Sequence, residues 1–146
     1  MKKYVLFILI VCVVSSCTNS TSDKYVCENL AVNMDVKESI EYEGDDILSL
    51  STEYKYKIFD DQTKEEFVEE LNAKLDELRN IDGVIVDVDI VNNEVIATVD
   101  IDFTVAAFNV LNDVGWEYSH YRDVYRPSVE KFLEYHQNNH IECEKQ

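Results

Sequence analysis

Residues Val84 to Asp102 constrain the fold more tightly than any other stretch of the chain. Asn92-Asn93 sits between two runs in which apolar and polar residues alternate. A two-residue loop there pairs Ile90 with Val95, Val88 with Ala97, Val86 with Val99 and Val84 with Ile101. All eight then share one face, so register and hydrophobic pattern agree, and a slip of one residue would turn every one of them to water. The opposite face collects Asp87, Asp89, Asp100 and Asp102 among Ile85, Ile96 and Thr98. This unit predicts an antiparallel hairpin with one buried side.

Upstream, the alternation repeats over Leu30 to Tyr42, where Leu30, Val32, Met34, Val36, Ile40 and Tyr42 fall on even positions. The pattern predicts a half-buried strand, bent or interrupted near Glu38-Ser39. Glu43-Gly44-Asp45-Asp46 has turn composition. Ile47 to Phe59 then alternates again, with Leu48, Leu50, Tyr54, Tyr56 and Ile58 on one face. Thr63-Lys64-Glu65-Glu66 has capping-box spacing, and Phe67, Leu71, Leu75 and Leu78 follow at helical intervals. Ile81-Asp82-Gly83 closes that helix. Val105 to Leu111 is compatible with a short helix. Pro127-Ser128 opens another, with Val129, Phe132, Leu133 and His136 on one side and Asn138-Asn139 as its stop. His140 to Cys143 reads as a closing strand. The expected class is α+β: an antiparallel sheet built from two β-hairpins plus a short C-terminal strand, with a central helix and C-terminal helices packed on one face.

The first residues carry a different message. Lys2 and Lys3 precede an uncharged apolar run, Tyr4 to Val14, too short to span a membrane and of the length of a secretory signal. Val14-Ser15-Ser16-Cys17 follows, an aliphatic residue, two small residues and a cysteine, which resembles the lipobox of bacterial lipoproteins. That resemblance implies that Cys17 becomes the first residue of the mature chain and carries the lipid. The expected organisation is a removed signal peptide at 1–16, a lipidated Cys17 with a polar linker at 17–23, and a single α+β domain at 24–146. With export granted, Cys12 leaves with the leader, and Cys27 and Cys143 remain at the two ends of the body. A bridge between them would close a loop of about 116 residues, worth roughly 4–5 kcal/mol on the chain-entropy model. Two unrelated buried thiols are the alternative. Neither cysteine has a second ligand two to four residues away, which argues against a metal site.

The chain carries 30 acidic and 13 basic residues, and losing Lys2 and Lys3 takes the formal charge from −17 to −19. Nucleic acid is excluded as a partner, because phosphate neutralisation needs a basic surface. An anionic membrane would repel the body, so the lipid at Cys17 must supply membrane attachment.

Three groups of residues bear on chemistry. The acidic face of Asp87, Asp89, Asp100 and Asp102 offers oxygen ligands for a hard cation, but lacks a shaped calcium loop; a solvated, aggregation-resistant face is the favoured reading. His136 and His140 have i, i+4 spacing, but the helix stop between them spoils a metal pair, and His120 lies among tyrosines; packing or surface roles are the default, with no metal expected. Trp116, Tyr118, Tyr121, Arg122, Tyr125 and Arg126 combine rings and guanidinium groups in eleven residues, the composition of an interaction surface; closing the end of the core is the alternative. No nucleophile motif, phosphate loop or dinucleotide fingerprint occurs, so neither an enzyme nor a cofactor is expected.

The lipobox, a cysteine-bearing first strand, the acidic turn Tyr42-Glu43-Gly44-Asp45-Asp46, the central helix, Ile81-Asp82-Gly83-Val84 and a hairpin ending Val99-Asp100-Ile101-Asp102 together resemble the YehR-type bacterial lipoproteins, a family of unknown function. The resemblance implies an α+β fold and an envelope location and supplies no catalytic residues. Similar members close with a helix, a glycine and a strand; here Asn138-Asn139-His140 stands in that place. The expected function is a non-enzymatic, lipid-anchored binding module on the outer side of a bacterial membrane, with a protein or envelope-polymer partner. A small-ligand or cation binder is the second reading, and an envelope-polymer hydrolase the third.

Overall fold

The structure, a computed structural model, describes residues 22–58, 63–92, 94–107, 110–111 and 128–146. Among the described residues, six strands and two helices follow one another as β1 (Asp23–Leu30), β2 (Met34–Glu43), β3 (Asp46–Tyr56), α1 (Lys64–Arg79), β4 (Val84–Val91), β5 (Glu94–Asp102), α2 (Val129–Asn138) and β6 (Glu142–Lys145). The strands make one antiparallel sheet in the order β4-β5-β3-β2-β1-β6. The fold is α+β, with both helices on the same face of an open sheet.

The β4–β5 hairpin has the register that its alternation dictates: Ile90 faces Val95, Val88 faces Ala97, Val86 faces Val99 and Val84 faces Ile101. Asn92 turns the corner at φ 50°, a conformation asparagine tolerates better than most residues. Helix α1 begins with the full capping box. The Thr63 hydroxyl accepts from the Glu66 amide, and the Glu66 carboxylate accepts from the Thr63 amide. Its Leu71 and Leu78 are buried against the sheet. Gly83, at φ +83°, lies where the chain enters β4; a Cβ there would come within 2.8 Å of the Ala106 amide nitrogen. No other residue fits that position.

Two expectations for the first half of the sheet are corrected. The strand expected over Leu30 to Tyr42 is broken at Ala31-Val32-Asn33, where β1 turns into β2, and runs without interruption through Glu38-Ser39. Leu30 and Val32, counted as inward, are 77% and 81% exposed at this turn. Leu48, expected on the inward face, is displaced because β3 carries an extra residue there. Glu41 faces Ser49 while Tyr42 faces Ile47, so the alternation changes parity and Ile47 enters the core in its stead. The carbonyl of Leu48 accepts from the amide of Phe103, which fastens this bulge to the end of β5.

The acidic turn between β2 and β3 docks onto the start of α2. The Asp45 carbonyl accepts from the Val129 amide, and its carboxylate accepts from the Glu130 amide. Ser128 caps the same helix by accepting from the Lys131 amide. Orphan donors and a helix dipole thus explain why acidic residues occupy this turn. At the other end, Ile141 donates to the His136 carbonyl and His140 to that of Gln137. This is a Schellman closure with His140 in the left-handed position at φ 60°. His140 does the work that a glycine does in the similar family layout, at the cost of a Cβ in a region L-residues avoid.

Candidate functional site

Because directly opposed residues of a sheet share a face, the pairing register defines a straight row across the sheet. Val86 on β4 faces Val99 on β5, Val99 faces Thr52 on β3, Thr52 faces Glu38 on β2, Glu38 faces Cys27 on β1, and Cys27 faces Cys143 on β6. All six side chains point to the helical side. Three of the six are aliphatic or hydroxyl-bearing neighbours of the main core; the other three are a carboxylate and two sulfurs.

Cys27 and Cys143 are joined by a disulfide, with Cα atoms 4.1 Å apart, near the tighter spacing of an antiparallel ladder. It fastens the short β6 to β1 and connects positions 116 residues apart. Cys27 is almost wholly buried, and Cys143 is half-buried beside a cleft of about 410 Å³ that also touches Leu133, Gln137, His140, Ile141 and Glu142.

Glu38 and His136 meet above this bond. Helix α2 turns His136 fully inward, where its ring packs on Phe132 and edge-on to Tyr135. His136 Nε2 lies 2.5 Å from Glu38 Oε2, and Nδ1 lies 2.8 Å from the Phe132 carbonyl oxygen. A carbonyl only accepts, so Nδ1 carries a hydrogen. The Nε2 contact therefore contains one proton shared with Glu38, either on the imidazole as an ion pair or on the carboxyl as a neutral pair. The pair is neutral overall in both forms, which is what permits its burial. One further buried polar atom lies in the row: Thr52 Oγ1, with no hydrogen-bond partner among the described residues.

Among the described residues, one group of His, Cys, Asp and Glu side chains brings ligand atoms together: Cys27, His136 and Cys143, all within 4.8 Å of one another. The acidic face of β4 and β5 does not converge in this way. Asp87, Asp89, Asp100 and Asp102 are exposed on the side away from the helices. Asp102 is engaged locally: the hydroxyl and amide of Thr104 donate to its Oδ1 at 2.5 and 2.8 Å and lower its pKa below the ordinary carboxylate value. Surface lysines are likewise occupied, with Lys145 on Asp23, which raises its pKa, and Lys37 on Glu28.

His136 and His140 point to different places, one into the core and the other to the cleft rim, so they form no pair. Trp116, Tyr118, Tyr121, Arg122, Tyr125 and Arg126 lie outside the described residues, as does Cys17. Sequence reasoning missed Glu38 and Thr52. The signal was present: Glu38 occupies an even, inward position of β2, and a charged residue at such a position demands a buried partner.

Comparison with known families and structures places the chain. Residues 21–136 match the family model described as protein of unknown function (DUF1307). Among curated proteins, none matches. The NMR structure of the YehR protein of E. coli superposes with a TM-score of 0.70 at 19% identity, covering 84% of this chain and 89% of that one. An NMR structure of a protein from Streptococcus pneumoniae TIGR4 gives 0.61 at 16% identity, over 99% of this chain and 97% of that one. At these identities the two structures speak for the fold alone. The family match covers most of the sequence, and the chain belongs to the DUF1307 family, with a YehR-type domain as its body.

Proposed function

We propose that this protein is a lipid-anchored, non-enzymatic binding module on the outer side of a bacterial membrane. The observation that carries the reading is Val14-Ser15-Ser16-Cys17 behind a short apolar run, the pattern of a processed and acylated lipoprotein. The Cys27–Cys143 disulfide supports it, since such bonds persist in oxidising, extracytoplasmic compartments. The charge of −17 supports attachment by lipid rather than by basic residues. The ligand-recognition role is assigned to Trp116, Tyr118, Tyr121, Arg122, Tyr125 and Arg126, which concentrate rings and positive charge in an acidic chain.

The test is made on the full chain expressed in a bacterial host. Wild type should incorporate labelled fatty acid and fractionate with membranes, while Cys17→Ser should be released or held as unprocessed precursor. A fully processed Cys17→Ser protein retained normally on membranes would sink the anchor. For the surface, Trp116→Ala and Tyr121→Ala should weaken binding to isolated envelope polymer or envelope protein fractions while leaving the unfolding midpoint nearly unchanged. Losses of about 3–5 kcal/mol in stability would instead mark these rings as core.

A further inference from the structure

A disulfide that only staples β6 to β1 has no need of a buried carboxylate and imidazole beside it. Such pairs are costly, and well-packed apolar residues in their place are often neutral or stabilising. Their arrangement also has a specific form. His136 is fixed by donating its Nδ1 hydrogen to a backbone carbonyl, which leaves Nε2 as the nitrogen that can ligate once the proton it shares with Glu38 is displaced. Metal-binding histidines are held in this manner, with the far ring nitrogen tied to a carbonyl or carboxylate. Nε2 meets an acidic oxygen of Glu38, and two sulfurs lie within 4.8 Å of a ring nitrogen of the same histidine. Thr52, directly opposite Glu38, contributes a buried hydroxyl with no partner among the described residues.

We propose that in its reduced form this row is a buried metal site, in which Cys27 Sγ, Cys143 Sγ, His136 Nε2 and Glu38 Oε2 hold one borderline-soft divalent cation of the zinc class. Two thiolates, one imidazole and one carboxylate are a tetrahedral set that zinc accepts. With bonds of about 2.0–2.3 Å, the ligand atoms would stand roughly 3.5 Å apart. Once the bond between them is broken the sulfurs separate, the nitrogen closes by a small shift, and Glu38, outside the 4.8 Å group, turns toward the sulfurs. With Oε2 on the metal, the second oxygen of Glu38 can take the orphan hydroxyl of Thr52 as donor. The four ligands come from β1, β6, α2 and β2. That is why no short spacing in the sequence announces them.

The disulfide form cannot bind in this way, so the site is gated by oxidation state. A dithiol reductant attacks at Cys143, the sulfur beside the cleft; the S–S bond breaks, the reductant leaves as its own disulfide, and both cysteines become thiols. Metal entry then displaces the two thiol protons and the proton shared by Glu38 and His136. The product is one tetrahedral complex and three released protons.

The experiment uses the full chain carrying Cys12→Ser and Cys17→Ser in detergent, so that only Cys27 and Cys143 remain. The chain, reduced with a phosphine and then freed of it, is titrated with Co²⁺. One ion per chain should bind with a thiolate-to-cobalt charge-transfer band and the intense visible bands of a tetrahedral site; the oxidised chain should show neither. Zinc should displace the cobalt and quench the bands. His136→Gln should weaken binding beyond the 10–100-fold expected for loss of an outer partner. Should that variant fail to fold, X-ray absorption at the zinc edge of the wild-type complex decides, with two sulfurs and two lighter atoms expected. The proposal is overturned if the reduced chain binds no stoichiometric cobalt, if the oxidised chain binds equally, or if His136→Gln binds as wild type. It is overturned as well if zinc is held by sulfur from more than one chain. A reduced chain that has lost its circular dichroism counts in favour only if one equivalent of metal restores it.

Discussion

The two ends of one row across the sheet are built on different principles. At the β4–β5 end, Val86 and Val99 face each other and belong to the same core as Leu78. Each such side chain contributes about 1.5–3 kcal/mol by leaving water, an upper estimate because the unfolded chain also hides apolar surface. At the β2–β1–β6 end, a carboxylate and a disulfide occupy the equivalent inward positions, and an imidazole from α2 meets the carboxylate. The apolar end needs only shape and hydrophobicity, so many substitutions there would be graded in effect. The other end depends on one covalent bond and one shared proton. It joins partners 98 and 116 residues apart, and removing either partner is expected to leave the other unpaired.

Breaking the covalent link should give the largest effect. Reduction, or paired Cys27→Ala and Cys143→Ala, should lower unfolding free energy by roughly 4–5 kcal/mol on the chain-entropy model. Urea unfolding of oxidised and reduced protein in the presence of a chelator measures it. Hydrogen exchange sharpens the contrast: β6 and the facing amides of β1 should lose protection before those of β4 and β5 do. Equal loss across the sheet would show that the two ends do not differ.

A smaller change should act in the opposite direction. His140→Gly removes the Cβ from a left-handed position, with part of the gain offset by the freer unfolded chain. Stability should rise by up to about 1 kcal/mol, read from the urea midpoint. A fall would mean that the His140 side chain makes a contact on the cleft rim that outweighs the backbone strain.

The smallest effect concerns acid. Because the Thr104 hydroxyl and amide bonds depress the pKa of Asp102, its contribution is complete above the ordinary value of 3.8 and is lost as pH falls below it. Thr104→Val should therefore flatten, slightly, the decline of thermal midpoint below pH 4. No change in that slope would show the turn to be energetically silent.

How much of this was legible in the sequence follows the same division. The β4–β5 register was readable residue by residue, because alternation around Asn92-Asn93 leaves one solution. The α1 capping box was equally local. Glu38 was read as a break in β2 because it interrupts an apolar pattern; its partner lies on a helix 98 residues away, and no local window contains both. Leu48 was misplaced because a bulge changes parity without any compositional mark. His140 was visible as a departure from the glycine of similar chains, but its left-handed backbone was not. The cysteines were legible through compartment logic, whereas the convergence of sulfur, imidazole and carboxylate depends on sheet order, which hairpin patterns leave open.

The claim that Glu38 and His136 act as one buried unit is tested most directly by a double-mutant cycle. Glu38→Leu and His136→Leu should each destabilise the oxidised protein by about 3–5 kcal/mol, since each leaves a buried polar partner unpaired. The double variant should cost clearly less than their sum, with a coupling of about 1–3 kcal/mol in urea unfolding. Additivity within about 0.3–0.5 kcal/mol would contradict the account, because it would mean that the two side chains do not depend on each other.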